Sequence, residues 1–206
     1  MSAKTIGILV FDKIEVLDFV GPYEVFTAVR LDESKRWETK PPFDVYLVAE
    51  NIEPVASHNG MKVIPDMTLE QCPPLDLLLV PGGWGTRIEF NNERLIAWIA
   101  ERGRSAGTLA SVCTGARLLA KAGLLDGRHA TTHWNSLGWL TENFPRIKVE
   151  TAQHVVEDGN VITSAGISAG IDLALTLVAR YCGDDIALTT ARYMEYRYPN
   201  DNTRRV

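Results

Sequence analysis

The chain has 206 residues, 46% of them hydrophobic and 23% charged, which is ordinary for a globular protein and enough for one buried core. Its 21 basic and 26 acidic side chains leave a formal net charge of -5, without the basic excess that a phosphate-neutralising surface needs, so no nucleic-acid partner is expected. Only seven residues, Thr5 to Phe11, precede Asp12 after Lys4, too few for a signal-peptide core or a membrane span.

Thr5 to Phe11 reads as a first strand, a short apolar run, and Gly21 to Leu31 carries Val25, Phe26 and Val29 at helical spacing with Pro22 near its start. Phe43 to Ala49 reads as a second strand after a polar loop containing Pro41-Pro42, and Val55 to Ile64 contains the hairpin signal Asn59-Gly60. Leu75 to Val80 is a continuous apolar run, as expected of a strand covered on both faces. Glu93 to Arg102 follows as a helix through Leu95, Ile96, Trp98 and Ile99. Thr108 to Val112 is then a strand, and Thr114 to Ala122 an amphipathic helix closed by Gly123.

Val155-Val156 and Val161-Ile162-Thr163 flank the tight turn Asp158-Gly159-Asn160; Ser168 to Tyr181 is an apolar helix, and a last helix runs from about Asp184 to Tyr193. The tail from about Tyr198 is polar and is expected to fray. Nothing repeats and no linker divides the chain, so the alternation predicts one domain over residues 1–206, an α/β fold with a doubly wound, mostly parallel sheet.

Ligands of such sheets bind beyond the carboxyl ends of the strands, where two glycine-bearing turns leave strands: Pro81-Gly82-Gly83 and Cys113-Thr114-Gly115. Cys113 thus sits at a strand-to-helix corner, where the helix N-terminus is expected to lower its thiol pKa. The backbone N–H groups of Gly82, Gly83 and Thr114 are the expected oxyanion-type donors. The alternative for Cys113 is a small buried hydrophobe, which is also the reading for Cys72 and Cys182. Three widely spaced cysteines without a ligand pattern indicate neither disulfides nor a zinc site, no metal is expected, and a reducing, cytoplasmic compartment fits best.

Asp18 lies in the apolar stretch Val16-Leu17-Asp18-Phe19-Val20. Beside Cys113 it would share one proton with the thiol and act as a general acid; otherwise it is an ordinary helix N-cap. His133, in Thr131-Thr132-His133-Trp134, either pairs with the thiol or is a satisfied structural histidine. Trp84 follows the glycine pair and either walls the pocket or belongs to core or rim. Trp84, Phe19 and their apolar neighbours suggest a pocket of low polarity.

Gly7-Ile8-Leu9-Val10-Phe11, Leu17-Asp18-Phe19-Val20-Gly21-Pro22, Val80-Pro81-Gly82-Gly83, Ser111-Val112-Cys113-Thr114-Gly115, Ala130-Thr131-Thr132-His133-Trp134 and Gly166-Ile167-Ser168-Ala169-Gly170-Ile171-Asp172 together resemble the ThiJ/PfpI superfamily. Within it the chain is most similar to the isonitrile (isocyanide) hydratases. The resemblance implies a flavodoxin-like sandwich with helices on both faces, a homodimer, and Cys113 in a nucleophile elbow. It further implies that Asp18 acts on protons, that Thr114 contacts the site, and that no cofactor is used. Protease-like members have histidine directly after the cysteine, where this chain has Thr114, so peptidase activity is not expected.

The implied reaction is hydration of an isocyanide to an N-substituted formamide through a covalent thioimidate on Cys113. Two enzyme alternatives use the same thiolate: glyoxalase- or deglycase-like action on reactive carbonyls, and redox sensing by oxidation of Cys113. A third reading is a stand-alone sensor related to those of AraC-type regulators. Against it, only about two dozen residues follow the helix ending near Tyr181, too few for a helix-turn-helix domain.

Overall fold

The computed structural model describes residues 3–199 and 201–205. Its first half runs β1 (Lys4–Leu9), α1 (Val16–Ala28), β2 (Phe43–Ala49), β3 (Val55–Ala56), β4 (Lys62–Val63), β5 (Met67–Thr68), β6 (Leu77–Val80), α2 (Thr86–Glu89) and α3 (Glu93–Ser105). The second half runs β7 (Thr108–Val112), α4 (Gly115–Lys121), β8 (His129–Ala130), α5 (Leu137–Asn143), β9 (Lys148–Val149), β10 (Val155–Asp158), β11 (Val161–Ser164), α6 (Ala169–Cys182) and α7 (Asp184–Tyr193). No helix among the described residues is long and apolar enough to cross a membrane.

Seven strands form one sheet in the order β10-β11-β7-β6-β1-β2-β5, parallel throughout except for the β10–β11 hairpin. This is the expected doubly wound, flavodoxin-like arrangement. From β1 the chain moves outward to β2, then returns to β6 on the other side of β1 and continues to β7. Right-handed crossovers in opposite directions put their helices on opposite faces. Accordingly α1, α6 and α7 pack together, and α3 packs on α4. The central strands are covered on both sides, which is why Leu77 to Val80 are all buried. The order reverses between β1 and β6, and the loops leaving those two strands open a crevice there.

Two expectations change. Helix α1 begins at Val16, well before Gly21, and Pro22 lies inside it. Packing overrides the proline start signal: α1 crosses α6 closely, with a Cβ on Gly21 falling 3.0 Å from Ile171 and one on Gly170 falling 3.3 Å from Pro22. The tail, expected to fray, is docked at its described residues 201–205. Asn202 brackets Val155 through two hydrogen bonds of 2.8 and 2.6 Å, and its carbonyl accepts from the His154 N–H at 2.8 Å. Arg205 meets the buried Asp172 at 3.1 Å. A polar tail docks here because its partners are backbone groups and a buried carboxylate, which hydrophobic patterning does not register.

Candidate active site

Strand β7 delivers Cys113 to the corner before α4 with φ +56, in the left-handed region that a residue with a Cβ rarely occupies. Its N–H donates to the Ser164 and Ala165 carbonyls at 3.2 and 3.1 Å, and its carbonyl accepts from Thr132 Oγ1 at 2.7 Å. Gly115 lets the turn close, because a Cβ there would collide with the Val80 carbonyl. The thiol is 5% exposed.

Asp18, in the first turn of α1, is fully buried, and its Oδ2 accepts from the Gly82 N–H at 3.0 Å. Oδ1 is buried without a partner among the described residues. The helix N-cap is Glu15, which rules out the N-cap reading of Asp18. Burial pushes the Asp18 carboxyl well above its usual range, against hydrogen bonds from Gly82 and Cys113. Burial likewise pushes the Cys113 thiol up, and the adjacent Asp18 charge pushes it further. The expected lowering of the thiol by its helix N-terminus is therefore overturned. Only the Thr114 N–H and hydroxyl act in that direction, and desolvation of a buried sulfur exceeds them. Two acids that both resist ionisation side by side keep a proton between them.

The loop after β6 is tied to this pair. The Gly83 N–H donates to Thr114 Oγ1 at 2.9 Å, and Thr86 Oγ1 reaches the Gly83 carbonyl at 2.9 Å and Thr114 Oγ1 at 3.2 Å. The N–H groups of Gly82 and Gly83, expected to face a reacting atom, are engaged within the protein, one by Asp18 and the other by Thr114. Of the three expected donors only the Thr114 N–H faces the sulfur. A Cβ on Gly82 would fall 2.5 Å from the Thr114 nitrogen and 2.8 Å from Asp18 Oδ2, so glycine there permits the close approach of three segments.

A cavity of about 210 Å³ opens over Cys113 and Thr114, lined also by Glu15, His58, Gly83, Trp84, Arg87, His133, Asn135, Ser136 and Ile167. Its size suits a small molecule. Trp84 is 51% exposed and lies on this wall, with the His58 ring stacked 6.4 Å away and the Arg87 guanidinium 4.3 Å from its centroid. His133 borders the cavity too, its Nδ1 accepting from the Asn135 N–H at 3.3 Å. No hydrogen bond joins it to Cys113 among the described residues, although both rings of contact meet at Gly166, where a Cβ would fall 2.6 Å from Cys113 Sγ and 2.8 Å from His133 Cδ2. Burial first, and then the Arg204 charge, hold His133 below its usual pKa.

The cavity presents more apolar than polar surface, in line with the expectation, but not through the residues expected to supply it. Phe19 belongs to the core, and the wall carries Glu15, His58, Arg87, Asn135 and Ser136, none of which stood out in the sequence. His58 had a faint signal as the neighbour of Asn59-Gly60. Arg87 and Ser136 lie in short helical turns with no pattern to mark them.

The DJ-1/PfpI family matches residues 4–180. An isonitrile hydratase of Pseudomonas putida is 38% identical over 94% of this chain and 79% of that protein. The HTH-type transcriptional regulator CdhR of Pseudomonas aeruginosa is 40% identical over 66% of this chain but only 40% of the regulator. A ThiJ/PfpI family protein from Pseudomonas syringae superposes with a TM-score of 0.85 at 34% identity, covering 98% of this chain and 79% of that one. The extent of these matches, together with the switch-point location and the strained cysteine corner, shows that the chain belongs to the DJ-1/PfpI family.

Proposed function

We propose that this protein adds water to an isocyanide, R–N≡C, to give the N-substituted formamide, with Cys113 as nucleophile and Asp18 moving the protons. The observation that carries this reading is the buried Asp18 carboxyl, fixed by the Gly82 N–H, beside a buried cysteine at a strained corner. Similarity to the Pseudomonas putida isonitrile hydratase over most of both chains supports the choice of substrate.

The reaction starts when the proton that the pair holds moves from Cys113 to Asp18, a transfer uphill from the raised thiol, which leaves the sulfur a thiolate beside a protonated carboxyl. The sulfur adds to the terminal carbon while Asp18 protonates that carbon, leaving the thioimidate R–N=CH–S–Cys113 and an Asp18 carboxylate. Asp18 next takes a proton from water as the hydroxide adds to the same carbon, and passes a proton to nitrogen. Collapse of the adduct expels the thiolate, releases R–NH–CHO and returns the hydroxyl proton to Asp18. The Thr114 N–H stabilises the sulfur anion at the start and the end.

The test is formamide production from an alkyl or aryl isocyanide by the purified protein, beside Cys113→Ala and beside methylglyoxal as competing substrate. Turnover that vanishes in Cys113→Ala supports the reading; full activity in that variant ends it. Similarity to CdhR favours a second reading, a ligand-sensing module. Saturable binding of a small molecule without consumption of it would move the case there.

A further inference from the structure

One guanidinium group lines the cavity and a second stands behind its wall, and neither is paired with an acid among the described residues. Arg87, on α2, forms part of its wall. Arg117, on α4, is buried against Trp139, 4.1 Å from the ring centroid, and its Nη2 lies 3.2 Å from Ser136 Oγ, on the same wall. Nε of Arg117 is buried without a partner, and among the described residues neither arginine makes an ion pair. Burial first, and then the charge of Arg87, hold Arg117 below its usual pKa. The acid on the wall, Glu15, forms no ion pair with either among the described residues. Arg87 is exposed at the cavity wall and Arg117 is buried behind Ser136, so an anion entering the cavity meets positive charge that no acid neutralises, and a planar guanidinium fork matches a carboxylate.

We propose that the cavity over Cys113 takes a small substrate bearing a carboxylate, which Arg87 contacts directly and Ser136, oriented by Arg117, contacts from the side. This rests on the isocyanide reading for the reacting group and adds the class of substituent, an anionic R in place of an apolar one. The volume limits the substituent's size: a cavity of about 210 Å³ admits a short carboxylate-bearing group on the isocyanide nitrogen.

The experiment titrates Cys113→Ala, which binds without turnover, with isocyanoacetate and with its neutral methyl ester, in the Arg87, R87K and R87Q backgrounds. The acid is expected to bind about tenfold tighter than the ester with Arg87 present, the size of one charge-assisted hydrogen bond. That preference should disappear in R87Q and survive in part in R87K. Equal affinities, tighter binding of the ester, no binding of either, or a preference unaltered by R87Q would each overturn the proposal. Formamide production by the protein with Cys113 intact is measured separately. If neither isocyanide is hydrated, the hydratase reading fails while the binding preference still decides the anion site; if both are hydrated with no preference, the anion site fails alone.

Discussion

Asp18 Oδ2 accepts the Gly82 N–H at 3.0 Å, so the first turn of α1 is fastened to the loop after β6 at the point where the sheet order reverses. That bond fixes a carboxyl beside Cys113 while its other oxygen remains unpaired. Asp18→Asn keeps the acceptor for Gly82 and removes the charge. Burial is the larger cause of the raised Cys113 pKa and the Asp18 charge the next, so the thiol pKa should fall in Asp18→Asn. The rate of Cys113 alkylation against pH should have its midpoint at lower pH, while isocyanide turnover drops by about a hundredfold or more for want of a proton donor. A midpoint that stays or rises would show that the two side chains are not coupled.

The same substitution makes a stability prediction of defined sign. A carboxyl whose folded pKa lies above its unfolded one stabilises the protein in acid, and that contribution is lost as pH rises through the folded value. Asp18→Asn should therefore match the parent at acid pH and exceed it at neutral and alkaline pH. Melting temperatures across a pH series check this; equal curves throughout would mean that Asp18 is not held in its neutral form by the fold.

Thr114 tests whether its side chain serves chemistry or position. Its Oγ1 accepts from Gly83 and from Thr86. Thr114→Val leaves the Gly83 N–H without that acceptor and should lower stability by about 1–3 kcal/mol, with activity falling as the loop loosens. Thr114→Ser restores the oxygen and should recover most of both. Full activity in Thr114→Val would show that the loop holds its place without the hydroxyl.

Gly166→Ala should separate activity from stability the other way. The added methyl would fall 2.6 Å from Cys113 Sγ, so the thiol must shift. A displacement of this kind at a reacting atom is worth about a hundredfold in rate, whereas the methyl fills space in the site without opening a core cavity. Kinetics and melting temperature of the same preparation give the comparison, and a rate close to that of the parent would place the reacting position away from Gly166.

Much of the scaffold was legible because it is written in local patterns. Thr108 to Val112, Phe43 to Ala49 and Asp184 to Tyr193 match their observed bounds, since each is a compact apolar run or an amphipathic stretch with clear ends. Two-residue strands such as Met67–Thr68 and His129–Ala130 have no period to read; pairing with their neighbours alone makes them strands. Cys113 was visible from its turn and Asp18 from its apolar surroundings. The direction of the thiol pKa was not, because the helix N-terminus is a local feature and burial is a global one. The partners of Gly82 and Gly83 were hidden for a related reason: glycine signals close approach, and sequence does not say whether a ligand or another loop makes it. His58, Arg87 and Ser136 come from separate segments and meet only in the fold.

Arg204 belongs to the same class of residue and carries the last prediction. Its Nη2 donates to the Thr132 carbonyl at 3.1 Å and to Thr131 Oγ1, and its Nε donates to the Thr151 carbonyl at 2.8 Å. Thr132 Oγ1 in turn holds the Cys113 carbonyl, so the tail supports the cysteine corner through two hydrogen bonds in series. Arg204→Ala removes several bonds to part-buried acceptors and should destabilise the protein by about 1–3 kcal/mol. It also removes a positive charge that holds His133 down, so the His133 imidazole should titrate at higher pH than in the parent. Arg204→Lys separates the two effects: it keeps the charge and loses the fork, so His133 should stay near its parent value while the melting temperature still falls. Nuclear magnetic resonance titration of His133 alongside thermal melts reads both. A His133 midpoint unmoved by Arg204→Ala would mean that the tail supports the corner mechanically and leaves its electrostatics alone.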